Sequence, residues 1–238
     1  MTRKPTLFDK LWITDFINLF FPNVCHACGN VLNQQEEVIC TSCYFKLPKT
    51  GFHKHKENII SEIFWGRIEL NAATSFLFFN KGGKVQNLMH ALKYKGNKEV
   101  GIYLGKLFGE ELKQSPLFGS LDFIVPVPLH SKKHFKRGFN QSAVIAQGLG
   151  EALGVPVSVN NLIRKTHTST QTKKARYDRW ENVKGVFKVE NESIFEGKHL
   201  LLVDDVLTTG ATLEACAHPL VEISNAKVSV VTLAYAQV

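Results

Sequence analysis

The chain has 238 residues, and its 29 Lys and Arg residues exceed its 21 Asp and Glu residues to give a formal net charge of +8. This length suits one α/β domain with a full hydrophobic core plus a small appendage, and it excludes two large domains. A hydrophobic share of 44% with 21% charged residues excludes a disordered or collagen-like chain. The positive charge favours a polyanionic partner, such as a nucleic acid or a polyphosphate ligand.

The N-terminal segment 10–21 spaces its apolar residues at helical intervals. The segment is too short to span a bilayer, Asp15 interrupts it, and no small-residue cleavage site follows it. We therefore expect a helix that packs on the protein and no membrane span. Binding of this helix to a membrane surface is the alternative.

Two Cys-x-x-Cys pairs, separated by eleven residues, follow this segment. Four thiolates at this spacing can surround a metal tetrahedrally, which is typical of a structural Zn²⁺ site. An iron centre of rubredoxin type and a pair of redox disulfides are the alternatives. The odd count of five cysteines argues against a secreted disulfide framework and favours a reducing cytoplasm. The predicted ligands are Cys25, Cys28, Cys40 and Cys43, with Cys216 as a spare thiol.

The chain divides by pattern into an N-terminal module, residues 1–56, and a body domain, residues 57–238. The polar residues 46–56 read as a linker. In the body, apolar runs predict strands at 72–79, 121–127, 199–203 and 227–235, and helical periodicity predicts helices at 85–92, 100–112, 140–153 and 211–223. This alternation of strand and helix predicts a mostly parallel sheet flanked by helices. The polar residues 161–178 predict a long exposed loop.

The segment 204–212, which we call the acidic loop, follows the buried strand predicted at 199–203. Asp204 and Asp205 fall at the carboxyl end of that strand, where ligands bind in open parallel sheets, and they can accept hydrogen bonds from a vicinal diol or help to hold a divalent ion. Hydroxyl and backbone N–H groups that can wrap a phosphate follow at the start of the next helix. They belong to Thr208, Thr209, Gly210, Ala211 and Thr212.

An ordinary helix cap would need only one such residue, so the composite pattern favours a ligand site over a cap. The acidic loop resembles the signature of type I phosphoribosyltransferases that binds phosphoribosyl pyrophosphate (PRPP). The resemblance implies a type I phosphoribosyltransferase-like α/β fold, in which the two acids meet the ribose hydroxyls and the Thr/Gly segment holds the 5-phosphate. It also implies Mg²⁺ bound together with PRPP.

Five blocks of sequence together resemble the ComF family of late competence proteins, whose members include ComFC and the GntX-like proteins. In chain order the blocks are the two cysteine pairs, residues 92–96 (LKYKG), 125–130 (VPVPLH) with 137–142 (RGFNQS), 164–171 with 179–183, and the acidic loop. The blocks follow the order found in the family and span nearly the whole chain.

The family resemblance implies a pyrophosphate loop at the end of the predicted strand 121–127, formed by Pro128, Leu129 and His130 with Arg137 nearby. Arg137 suits an anion because its planar guanidinium can bind two phosphate oxygens. The alternative for this segment is an ordinary loop-to-helix junction capped by Asn140. The resemblance also implies that residues 166–179 close over the ribose; a solvated basic loop is the alternative.

Basic residues cluster where the predicted fold places the ligand site. Such a rim can follow a phosphate backbone, and aromatic residues among them, including Tyr94, Phe135 and Phe139, can stack on single-stranded bases. A pocket that is charged for PRPP alone, with aromatic residues in the core, is the alternative. The nucleic-acid candidates are Lys132, Lys133, Lys136, Lys173, Lys174, Arg176 and Arg179.

These observations and the family resemblance predict a PRPP-binding protein that handles single-stranded DNA in a late step of natural transformation, with other competence proteins, such as a helicase, as possible partners. A phosphoribosyltransferase that acts on an unidentified nitrogen acceptor is the alternative from the enzyme class. A PRPP-sensing regulator that binds specific duplex sites is a third hypothesis.

Overall fold

The computed structural model describes residues 22–165 and 186–237. The predicted N-terminal helix, most of the predicted loop 161–178 and four of the nucleic-acid candidates, Lys173, Lys174, Arg176 and Arg179, lie outside the described residues. The chain forms two compact units, Met1–Leu47 and Pro48–Val238. Within the described ranges, no helix has the length and apolar character needed to cross a membrane.

The smaller unit contains the short helix α1 (Thr41–Phe45). The carboxylate of Glu36 accepts hydrogen bonds from the backbone N–H groups of Asn33 (2.9 Å) and Thr41 (2.6 Å), and these bonds lower the pKa of Glu36. Because Thr41 is the first residue of α1, the Glu36 side chain joins the segment around Asn33 to the start of this helix.

The larger unit contains a four-stranded parallel sheet, in the order β1-β6-β5-β2, and a separate antiparallel pair, β3-β4. Its strands are β1 (Ala72–Phe78), β2 (Phe123–Pro126), β3 (Leu162–Arg164), β4 (Phe187–Val189), β5 (His199–Leu207) and β6 (Lys227–Tyr235). Its helices are α2 (Ile59–Glu62), α3 (Lys84–Tyr94), α4 (Lys98–Leu112), α5 (Ser131–Arg137), α6 (Gln141–Leu153) and α7 (Ala211–Val221).

The register of the parallel strands places the ends of β2 and β5 side by side. Pro126 at the end of β2 is paired with Val203 of β5, and Asp204 follows directly. On the other side of β5, Asp204 is paired with Thr232 of β6. The predicted pyrophosphate loop and the acidic loop therefore leave the sheet at the same edge, as parallel strands require.

The strands and helices predicted for the body domain are all present in the structure, with several differences. The short elements α1, α2 and β4 were not predicted. Strand β5 continues through Leu207, so Asp204 and Asp205 belong to the strand and not to a loop. Residues 162–164 form β3 in place of exposed loop, and the helix α5 was not predicted. Residues 48–54 are not a free linker, since the N–H of Thr50 donates to the carbonyl of Phe76 (2.9 Å) in β1.

Helices α4 and α6 pack so closely that glycine is needed at their contact. A Cβ atom on Gly148 of α6 would lie 2.1 Å from the carbonyl oxygen of Ile102, and one on Gly105 of α4 would lie 2.4 Å from the carbonyl oxygen of Ile145. This contact fixes α6, whose N-terminus reaches the carboxyl edge of the sheet through Asn140 and Ser142.

Candidate functional site

Asp204 and Asp205, near the carboxyl end of β5, each contact a side chain from a neighbouring helix. The hydroxyl of Ser142 in α6 donates to Oδ1 of Asp204 (2.9 Å), and the same oxygen accepts from the N–H of Asp205 (2.8 Å). Nζ of Lys93 in α3 lies 2.9 Å from Oδ2 of Asp205. Groups of the chain itself therefore position both carboxylates at the sheet edge.

Burial, followed by repulsion from the Asp205 carboxylate, raises the pKa of Asp204 from 3.8 to about 7. The hydrogen bonds from the Asp205 N–H and the Ser142 hydroxyl, and the charge of Lys93, oppose this rise. Near neutral pH, Asp204 is thus able to exchange a proton or to ionise when a cation or a hydrogen-bond donor approaches.

The second half of the acidic loop is exposed and leads into α7. Thr208, Thr209, Ala211 and Thr212 are open to solvent, while Gly210 is buried at the N-cap of α7. Gly210 has φ of 77°, and a Cβ atom there would lie 2.9 Å from Cγ2 of Ile63. Glycine is needed at this position for its left-handed backbone and for close packing, and it leaves the neighbouring N–H and hydroxyl groups accessible.

Arg67 braces this segment from the side of α2. Its Nη1 donates to the carbonyl of Thr209 (3.0 Å) and to the carbonyl of Ile63 (3.1 Å). Its Nη2 forms an ion pair with Glu214 in the first turn of α7. One guanidinium therefore joins the α2 region, the Thr208–Thr209 turn and the start of α7.

The segment predicted as the pyrophosphate loop leaves β2 beside the acidic residues. The N–H of Val127 donates to the carbonyl of Val203 (2.9 Å), and Nδ2 of Asn140 donates to the carbonyl of Val127 (2.9 Å). Pro128 and Leu129 are half-buried, and Nδ1 of His130 caps α5 by accepting from the N–H of Lys132 (3.2 Å).

Arg137, the candidate anion ligand, ends α5 and already has two partners. Its Nη1 donates to Oε1 of Gln141 (2.8 Å), and its guanidinium carbon lies 5.6 Å from the centre of the Tyr94 ring. Oδ1 of Asn140 accepts from the N–H of Ser142 and caps α6, as the alternative interpretation of this segment expects. Arg137 therefore contacts Tyr94, which follows Lys93 in the chain.

The predicted nucleic-acid residues of α5 are on the surface. Lys132, Lys133 and Lys136 are all exposed. Phe135 of the same helix is 94% exposed, whereas Phe139 is 8% exposed. The prediction that Phe139 is a stacking platform is therefore wrong, since its ring belongs to the core.

The four predicted zinc ligands come together in the smaller unit. Ligand atoms of Cys25, Cys28, Cys40 and Cys43 all lie within 4.8 Å of one another. All five cysteines of the chain are free thiols. Burial opposes ionisation of Cys25, but hydrogen bonds from Cys40, Cys28 and Ala27 outweigh it and lower the pKa to about 7. Four converging sulfur atoms fit a tetrahedral, closed zinc site.

Three contributors to the site were missed or misassigned in the sequence. Lys93 belongs to the LKYKG block, where the sequence indicates no contact with the acidic residues, yet it pairs with Asp205. Ser142 is the last residue of the RGFNQS block, and its position at the start of a helix aimed at the sheet edge was an available signal. Nothing in the local sequence marked Arg67.

Comparisons with known proteins agree with this geometry. A profile of the Phosphoribosyl transferase domain matches residues 136–237. The DNA utilization protein YhgH of Escherichia coli K12 is 34% identical over 87% of this chain and 88% of its own length. The Bacillus subtilis competence protein ComFC is 28% identical over 92% of this chain and 86% of its own length.

Two further matches cover less of their counterparts. The DNA utilization protein YhgH of Salmonella typhi is 35% identical over 60% of this chain, and the match spans 63% of the length of that relative. The structure of glutamine PRPP amidotransferase from Bacillus subtilis aligns with a TM-score of 0.43 and 22% identity, over 61% of this chain and 30% of that one.

A parallel sheet flanked by helices, the acidic loop at its carboxyl edge and the matching domain define a protein with a type I phosphoribosyltransferase fold. A four-cysteine cluster is added at its N-terminal side. The chain belongs to the ComF family, as the relatives that match most of its length establish.

Proposed function

We propose that this protein binds PRPP at the carboxyl edge of its sheet and binds single-stranded DNA in a late step of natural transformation. The observation that carries the proposal is the pair of carboxylates, Asp204 and Asp205, held by Ser142 and Lys93 beside the exposed residues Thr208 and Thr209. Carboxylates accept hydrogen bonds from a vicinal diol, and N–H groups at the start of a helix bind phosphate.

In this proposal each segment of the site binds one part of PRPP. Asp204 and Asp205 accept hydrogen bonds from the ribose hydroxyls, and the 5-phosphate lies against Thr208, Thr209, Gly210, Ala211 and Thr212. Pro128, Leu129, His130 and Arg137 face the pyrophosphate. The two carboxylates are hard oxygen donors that suit Mg²⁺, which neutralises pyrophosphate charge when it is bound.

The cysteine cluster is proposed to hold one Zn²⁺ through Cys25, Cys28, Cys40 and Cys43. Its four sulfur atoms leave no position for a substrate, so the metal would stabilise the small unit and take no part in a reaction. The free thiols suit a reducing cytoplasm, which we propose as the location of the protein.

The role in DNA handling is supported by the family membership and by the charge of the chain. Relatives are named for competence or DNA utilization. The net charge is +8, and the three lysines of α5, Lys132, Lys133 and Lys136, are exposed near the proposed PRPP site. Exposed lysines and arginines give salt-dependent affinity for a phosphate backbone.

A phosphoribosyltransferase reaction is the second candidate, and the raised pKa of Asp204 favours it, because such a carboxyl can exchange a proton near neutral pH. In that reaction a nitrogen nucleophile would displace pyrophosphate from C1 of the ribose. The acceptor would be an unidentified nitrogen base.

Binding of a labelled single-stranded oligonucleotide across a salt series, with and without PRPP and Mg²⁺, tests the proposed function. The double variant Asp204→Ala, Asp205→Ala is measured in parallel, as is pyrophosphate release in the presence of the common nucleobases. Tight binding that weakens steeply with salt, without pyrophosphate release, is the expected result.

Three outcomes would contradict the proposal. The absence of DNA binding at low salt would remove the DNA role, and pyrophosphate release that requires an acceptor base would make the protein a transferase. Preference for a specific duplex over single strands would instead indicate a PRPP-sensing regulator.

A further inference from the structure

A wide groove lies on the side of the larger unit formed by the β2–α5 loop, α5, α6 and β3. Its volume is about 1530 Å³. Pockets for single small molecules are smaller, about 300–1,000 Å³. Of the described residues, none from the acidic loop lines the groove, although Pro128, Leu129 and His130 do. The groove therefore shares the segment 128–130 with the proposed PRPP site and extends beyond it, and its volume is large enough for an extended ligand.

The wall of the groove offers apolar and aromatic surface. Phe139, Val144 and Leu162 line it from the core side. Phe135 also lines it and is 94% exposed, which is unusual for so large an apolar side chain. A free aromatic ring beside an apolar wall matches the flat face of an unpaired nucleobase.

Among the described residues that line the groove, every charged residue is basic. They are Lys98, Lys132, Arg164 and Lys165, with His130 and His134 as titratable neighbours. None of the four cations forms an ion pair with a described carboxylate. Unpaired cations along a groove attract the phosphates of a polyanion.

Two of these cations are held in place by aromatic rings. Nζ of Lys98 lies 5.4 Å from the centre of the Phe139 ring, and the guanidinium carbon of Arg164 lies 5.3 Å from that of Phe187. The nearest acid along α6 after Gln147 is Glu151, which is neutralised by Lys106 at 2.7 Å. The groove thus combines positioned positive charge with an exposed ring and has little local negative charge.

We infer that this groove is the binding path for single-stranded DNA, an assignment that rests on the proposed function and gives it a location. Bases stack on Phe135, while phosphates lie along Lys132, Arg164 and Lys165. A duplex keeps its bases stacked inside and cannot use the ring, so the groove selects single strands.

The N-terminal part of helix α6 contacts both the groove and the acidic residues of β5. Asn140 lines the groove and also holds the carbonyl of Val127, while Ser142, two residues later, donates to Asp204. The DNA therefore passes next to the proposed PRPP site without using its carboxylates.

Fluorescence anisotropy of a labelled oligothymidylate tests the assignment. Phe135→Ala is expected to weaken binding by about fivefold or more, as the loss of one stacked base does. The triple variant Lys132→Gln, Arg164→Gln, Lys165→Gln is expected to reduce the slope of log affinity against log salt by about 2, or about 0.7 for each lost phosphate contact.

Matched controls lie elsewhere on the same unit. Trp65→Ala removes an aromatic side chain that is 60% exposed, and Lys113→Gln removes an exposed lysine. Both controls are expected to bind the oligonucleotide like the wild-type protein, and the melting temperature of each variant shows that it is folded.

The possible results distinguish a failure of the groove assignment from a failure of the proposed DNA-binding function. Wild-type binding with unchanged affinity and salt slope in both groove variants overturns the groove and leaves the DNA role intact. Failure of the wild-type protein to bind any single strand overturns both. Equal or tighter binding of a matched duplex overturns the selection of single strands by this groove.

Discussion

Nζ of Lys93 lies 2.9 Å from Oδ2 of Asp205 and joins the end of α3 to the carboxyl end of β5. This ion pair neutralises one of two adjacent carboxylates. Without it, the repulsion between Asp204 and Asp205 would be stronger, and the pair would also repel the phosphates of an incoming ligand more strongly. Lys93 is therefore part of the site in spite of its position in a surface-like basic segment.

Lys93→Ala is expected to weaken PRPP binding in the presence of Mg²⁺ by about tenfold, as the loss of one partner of a charge pair does. Isothermal titration calorimetry measures the affinity. Lys95→Ala changes an exposed lysine two residues away and is expected to leave the affinity unchanged. Wild-type affinity in Lys93→Ala would show that the ion pair has no role in binding.

The raised pKa of Asp204 predicts how stability depends on pH. Its pKa is 3.8 in an unperturbed chain and about 7 in the folded protein. Between these values the folded state binds more protons than the unfolded state, so the contribution of Asp204 to stability falls as pH rises through this window.

Asp204→Asn removes this titration, so the stability of the variant relative to the wild type is expected to increase from about pH 4.5 to about pH 7.5. Urea denaturation of both proteins at several pH values measures the difference in unfolding free energy. A difference that is constant with pH, or that changes in the opposite direction, would contradict the assignment of the raised pKa to Asp204.

The close contact between α4 and α6 predicts that replacing Gly148 by a larger residue destabilises the protein. Gly148→Ala places a methyl group 2.1 Å from the carbonyl oxygen of Ile102 and is expected to lower the unfolding free energy by about 1–3 kcal/mol. In a chain of this size, this lowers the melting temperature by about 2–4 °C for each kcal/mol.

Gly119→Ala is the matched control, because the new methyl group would have only the carbonyl oxygen of Pro116 within 4 Å, at 3.7 Å. Its φ of −75° is open to any residue, so its stability is expected to equal that of the wild type or to exceed it slightly. Thermal unfolding followed by circular dichroism compares the two variants. Equal melting temperatures would contradict the close helix contact.

The cysteine cluster predicts a metal content of one zinc per chain. Cys40→Ser is expected to abolish stoichiometric binding, because three thiolates and a hydroxyl no longer make a closed sulfur site. Elemental analysis of purified protein measures the content, and Cys216→Ala, which lies outside the cluster, is expected to retain it. Full zinc content in Cys40→Ser would show that this thiol is not a ligand.

Much of the fold was predictable because its strands and longer helices carry a local hydrophobic period. The final strand was predicted at 227–235, and the structure has β6 at Lys227–Tyr235. Helix α5 was not predicted because none of its seven residues is buried and it has no apolar face. The extension of β5 through Leu207 was missed because it depends on pairing with Tyr235 of β6, a contact that local sequence does not encode.

The parts of the candidate site that lie within one short segment were predictable from the sequence. The residues that reach the site from distant parts of the chain were missed. The acidic residues and the Thr/Gly turn were read from residues 204–212 alone. The cysteine ligands were found from spacing, and their four sulfur atoms do converge. Lys93 and Arg67 reach the acidic loop from α3 and from beyond α2, and only the folded chain brings them there.

Calorimetric titration of PRPP with Mg²⁺ into the wild-type protein and into the double variant Asp204→Ala, Asp205→Ala tests the central claim most directly. The account predicts saturable binding of one PRPP per chain by the wild-type protein and its loss in the double variant, whose melting temperature shows that it remains folded. Equal PRPP affinity in both proteins, or no binding by the wild type, would contradict the account.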